Sequence, residues 1–108
     1  MKWNMFIDDE RFPADDGKDW VICRTKMQVI SAIFDHDKIA PSFISFDHDL
    51  GENEQTGYDI AKWIVEADMD GIISIPINFQ FYVHSQNPIG KQNIETYLNN
   101  YLKIRKDL

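Results

Sequence analysis

The chain has 108 residues, 44% hydrophobic and 13% aromatic, which is enough apolar material for one core and excludes a wholly disordered chain. Its formal charge of −7 argues against non-specific binding to duplex nucleic acid, but not against a small phosphorylated ligand where a cation inverts the local charge. One cysteine, Cys23, cannot form an internal disulfide, no stretch is long enough to span a bilayer, and the apolar start is too short for a signal peptide. The expectation is a soluble, cytoplasmic protein of one domain over residues 1–108, without a membrane partner.

In chain order, Trp3 to Ile7 is a short apolar run that reads as a buried strand, and the acidic stretch from Asp8 to Asp19, with Pro13 and Gly17, reads as a loop. Trp20 to Cys23 is a second strand, with Cys23 a buried thiol. Thr25 and Gln28 have capping-box spacing, and Val29, Ile30, Ile33 and Phe34 form the apolar face of the helix behind them. His36 falls at that helix's C-terminus, where an imidazole suits the dipole, and is read as structural. Phe43 to Phe46 is a third strand. Thr56 and Asp59 start a second helix with Ile60, Trp63, Ile64 and Ala67 on one face, and Gly71 stops it. Ile72 to Ile77 is apolar but interrupted by Pro76. It is either a buried strand entry or, if exposed, a contact surface. Phe79 to Val83 is the fourth strand, and Ile94, Tyr97, Leu98, Tyr101 and Leu102 mark a last helix.

Strands alternating with helices imply an α/β fold with a parallel sheet, here of about four strands and three helices. Ligands of open parallel sheets bind beyond the carboxyl ends of the strands. Three strands end in reactive residues: Asp8, Asp9 and Glu10 after the first, Asp47, His48 and Asp49 after the third, and His84 and Ser85 after the fourth. Converging carboxylates call for a hard divalent cation or raised pKa values, so Asp8, Asp9 and Asp47 are candidate Mg²⁺ ligands, with Mn²⁺ as the alternative ion and Asp49 a further candidate. His48 and His84 are candidate proton-transfer groups. Ser85, Asn87 and Lys91 precede or open the last helix, whose free N–H groups and added charge suit a phosphate.

An acidic pair after the first strand, Asp47 after the third and Ser85 after the fourth resemble a response-regulator receiver domain, which has the flavodoxin-like fold. The chain departs from that pattern in lacking a lysine after a fifth strand and a helix between its first two strands. Five segments more closely resemble the cyclic-phosphate processing receiver domain, a divergent relative: Phe6 to Arg11, Ile44 to Gly51, Thr56 to Asp59, Val83 to Pro88 and Gly90 to Ile94. The resemblance implies metal-assisted processing of a cyclic phosphate on a nucleotide or RNA end. Asp47, His48 and His84 would be catalytic, and Arg11, Ser85, Asn87 and Lys91 would hold phosphate. Two alternatives stand beside it, a non-catalytic module that binds nucleotide or protein and a degenerate phosphoacceptor receiver.

Overall fold

The computed structural model describes residues 2–106. Its elements are β1 (Asn4–Ile7), β2 (Trp20–Cys23), α1 (Lys26–Asp35), β3 (Phe43–Phe46), α2 (Gly57–Met69), β4 (Gln80–Val83) and α3 (Pro88–Lys106). The four strands form one parallel sheet in the order β2-β1-β3-β4, the order expected of a receiver-like sheet of this length. β2 and β3 flank β1 on opposite sides, so right-handed connections leave β1 and β2 across opposite faces of the sheet.

That handedness sorts the side chains. Met5, Ile7, Cys23, Ile44, Phe46 and Val83 point one way and pack with Val29 and Ile33 of α1, with Ile60, Ile64 and Val65 of α2, and with Ile94 and Leu98 of α3. All three helices therefore cover one face. Alternation sends Asn4, Phe6, Trp20, Ile22, Phe43, Ser45, Gln80 and Tyr82 to the other. There the β1–β2 connection, residues 8–19, runs without a helix. Asn4 Nδ2 donates to the Asp19 carbonyl at 3.3 Å, and Lys18 Nζ sits 5.2 Å from the Phe43 ring centre. This loop covers the face only partly, and Tyr82 stays 57% exposed.

The helix starts follow capping chemistry. Thr56 and Asp59 form a full capping box, each side chain bonding the other's backbone N–H. At α1 only half of the expected box forms. Thr25 Oγ1 accepts from the Gln28 N–H, but Gln28 Oε1 reaches past it to the Arg24 N–H at 2.6 Å. Gly71 closes α2 at φ +74°, a left-handed conformation that a side chain disfavours.

Two apolar expectations are corrected by geometry. Phe34 leaves the α1 face and is exposed, with Lys38 over its ring. Ile72 to Ile77 is neither strand nor patch: Ile73 and Ile75 are buried, while Ile72 and Ile77 face solvent. A single parallel bridge, Ser74 to Ile39, ties the segment down. His36 is structural as expected. It caps α1, bonds the Ala32 carbonyl through Nδ1 at 2.7 Å and stacks on Trp3 at 3.7 Å. Among the described residues no helix is long and apolar enough to cross a membrane.

The two faces make a direct prediction. Ile44→Ala, on the helix side of β3, should cost about 2–5 kcal/mol in urea unfolding. Tyr82→Ala, on the opposite side of β4, should stay within about 0.5 kcal/mol. Equal losses would mean that both faces are packed alike.

Candidate functional site

The sheet hydrogen bonds run one residue past the end of three strands. Asp8 N–H donates to the Cys23 carbonyl at 3.2 Å, Asp47 N–H to Ile7 at 2.9 Å and His84 N–H to Phe46 at 2.9 Å. Asp8, Asp47 and His84 thus form a further row on the loop-covered face, next in line after Phe6, Ser45 and Tyr82. Each offers one ligating atom, and these atoms all lie within 4.8 Å of one another. The row sits where the strand order reverses, between β1 and β3, the position at which open α/β sheets bind ligands.

The two carboxylates are treated unequally. Asp8 is 1% exposed, and its burial alone would raise its pKa. Its Oδ1 accepts from the backbone N–H groups of Arg11 and Glu10, both at 2.9 Å, while Oδ2 meets His84 Nε2 at 3.0 Å and Arg11 Nε at 3.2 Å. Those donors outweigh burial and hold Asp8 below the usual carboxylate range. Asp47 has one backbone donor, the His48 N–H at 2.8 Å. Burial, and then the negative charge of Asp8, push Asp47 above the usual range. Two buried carboxylates and an imidazole, one carboxyl strained by the charge of the other, are a donor set that a divalent cation fits and relieves.

A second cluster lies on the loop after β3. His48 Nδ1 bonds Asp49 Oδ1 at 2.9 Å, and Asn87 Nδ2 approaches Asp49 Oδ2 at 3.4 Å. The His48 hydrogen bond, and then that of Asn87, hold Asp49 low against slight burial. Two glycines make the loop fit. A Cβ at Gly57 would stand 1.9 Å from the Asp47 carbonyl oxygen, and one at Gly90 would stand 2.3 Å from the His48 ring. Gly57 N–H instead donates to the His48 carbonyl at 2.7 Å, which seats the start of α2 against the site.

Residues 3–100 match the family model of the cyclic-phosphate processing receiver domain. The chain belongs to this family. The comparisons with curated proteins and with solved structures give no match.

Within this receiver domain the residues expected from sequence divide into groups. Asp8, Asp47 and His84 come together. Asp9 and Asp49 stand outside that group: the Asp9 carboxyl lies beside Gly51, and Asp49 is engaged by His48. Arg11 leans its Nε on Asp8. Ser85 Oγ accepts from the Asn87 N–H at 3.1 Å, and Asn87 Oδ1 accepts from the Gly90 N–H at 2.9 Å, so both shape the start of α3. Lys91 reaches towards the Tyr82 ring, 5.7 Å away. Sequence reasoning placed Ser45, Gly57 and Gly90 within the resembling segments but gave them no role of their own, and it passed over Arg24. Arg24 Nη1 donates to the carbonyls of Asp8 and Arg11 at 2.9 and 2.7 Å and so pins the loop that carries them. A serine inside an otherwise apolar strand, two residues before Asp47, was the available signal for Ser45.

The two carboxylates predict opposite effects of pH in metal-free protein. Asp47 is raised, so its ionisation works against the fold as pH climbs above the ordinary carboxylate range. Asp47→Asn should therefore melt higher than wild type at pH 7 in EDTA, by roughly a few degrees, with the gap closing near pH 4. Asp8 is lowered, so its contribution is present above that range and is lost as pH falls through its own pKa. Asp8→Asn should melt lower at pH 7, again with convergence in acid. Gly90→Ala should cost about 1–3 kcal/mol by overpacking against the His48 ring, measured by the same melts.

Proposed function

We propose that this domain opens a cyclic phosphate on a nucleotide or an RNA end by metal-assisted hydrolysis. The observation that carries the reading is the meeting of Asp8, Asp47 and His84 at the strand ends of a chain that belongs to this family. A divalent cation held by these three would withdraw charge from a phosphoryl oxygen and acidify a water molecule. An imidazole among the donors moves the preference from Mg²⁺ towards Mn²⁺. His84 is assigned to the carboxylates, rather than to acid–base work, because its Nε2 faces Asp8 Oδ2.

His48 is the general base of this reading. Asp49 on Nδ1 fixes the ring and leaves the Nε2 side to take the proton of the attacking water. The water oxygen bonds to phosphorus, one ring P–O ester bond breaks, and the freed ribose oxygen takes a proton from solvent. Arg11, Ser85, Asn87 and Lys91, at the same end of the sheet, are the groups assigned to the phosphate oxygens.

The test is ring opening followed by phosphorus NMR, with 2′,3′-cyclic nucleotides and cyclic-phosphate RNA ends offered in Mn²⁺ or Mg²⁺. Turnover should require the cation and stop in EDTA. His48→Ala should slow it by roughly 10²–10⁴-fold while cation binding persists. His84→Ala should lose both. A folded, cation-binding wild type that opens none of these rings refutes the reading and leaves a binding module.

A further inference from the structure

The ring of His84 is held on three sides. It stacks on Phe6, centre to centre 4.6 Å and 3° from parallel. Nε2 meets Asp8 Oδ2 at 3.0 Å, and Nδ1 meets Ser45 Oγ at 2.7 Å. Ser45 is only 7% exposed and sits in β3 between Ile44 and Phe46 in sequence, on the opposite face of the sheet from both. A buried hydroxyl requires a partner, and His84 is the one this structure provides.

The chemistry of that partner matters. A hydroxyl carries one donor and two acceptor sites, so it can face either tautomer of an imidazole. With Asp8 an ionised acceptor, a neutral His84 keeps its proton on Nε2, and Ser45 donates to the bare Nδ1. His84 can offer Nε2 to a cation only with the proton on Nδ1, and Ser45 then accepts it. A carboxylate or a carbonyl at position 45 could serve only the second state, and an N–H donor only the first. We infer that Ser45 is the positioning residue of the site: Asp8 sets the tautomer of His84 in metal-free protein, and Ser45 holds the ring in either tautomer, reversing its own hydrogen bond when Nε2 becomes a ligand. The reversal rests on the metal-assisted reading above, whereas the hold on the ring in metal-free protein does not.

The experiment is long-range proton–nitrogen NMR of protein labelled with ¹⁵N-histidine, with and without Zn²⁺ as a diamagnetic probe, and Mn²⁺ affinity by calorimetry. Wild type in EDTA should show His84 as one tautomer, protonated on Nε2, and in Zn²⁺ as the other. Ser45→Ala should keep the Nε2–H tautomer in EDTA but move the His84 Nδ1 resonance to that of a nitrogen without a hydrogen bond, and should bind Mn²⁺ about 10–100-fold more weakly. Ser45→Thr, which keeps the hydroxyl, should restore both readings, and Ser45→Cys, a near-isosteric weak donor, should not. An unshifted Nδ1 resonance and unchanged affinity in both Ser45→Ala and Ser45→Cys overturn the inference, as does a wild type protonated on Nδ1 in EDTA. A wild type that binds no cation fails the metal-assisted reading, and the EDTA spectra alone then decide the role of Ser45.

Discussion

Two carboxylates end neighbouring parallel strands with almost no water around either, and most of the local structure answers that one difficulty. Asp8 draws on the backbone of its own loop, on Arg11 and on His84 until its charge is well supported. Asp47, one strand away, is left with a single backbone donor and the field of its neighbour. The repulsion is kept rather than relaxed, because strand pairing through β1 and β3 holds the two backbones together. Such an arrangement spends stability on a function, and the core on the opposite face of the sheet makes that tolerable.

The division of labour between the faces follows from one missing element. With no helix between β1 and β2, all three helices serve the same side, and the hydrophobic core forms there while the polar row lies on the other side. The loop-covered side is free to carry side chains chosen for chemistry. Phe6 shows how the two sides are joined. It belongs to the polar side, yet it is buried and stacked under His84, so ring orientation at the site is tied to the position of β1.

Much of the fold was legible because it depends on local pattern. Short apolar runs, helical stripes and the Thr56–Asp59 box gave seven elements in the observed order, with strand ends shifted by a residue at Trp3 and Phe79. The convergence of Asp8, Asp47 and His84 followed from topology, since parallel strands deliver their ends to one edge. What stayed hidden depends on facing rather than spacing. Asp9 and Asp49 carry the same charge as their neighbours, but alternation turns Asp9 away from the row, and Asp49 leaves it because β3 ends at Phe46 and the chain bends at His48, bringing Asp49 to His48 and Asn87 instead. Ser85 and Asn87, read from sequence as phosphate groups, also bond the backbone at the start of α3, a local role that their residue types did not announce. Gly57 and Gly90 matter because of atoms that lie far off in sequence, which periodicity cannot see.

The strands are only four residues long, and that brevity bears on how the chain finds its fold. Each strand gives two side chains to the apolar side and two to the polar side, and β1, β3 and β4 then add one more each to the row that holds the carboxylates. Sliding β3 by one position against β1 would exchange those sides, pressing Ser45 and Asp47 into the helices and turning Ile44 and Phe46 outwards. Few hydrogen bonds distinguish the right alignment from the wrong one in so short a ladder. The penalty for enclosing an acid among isoleucines is what separates them. The residues of the site thus act against mispairing while the chain folds, before any ligand is met, and replacing Asp47 by an apolar residue would remove a safeguard along with a function.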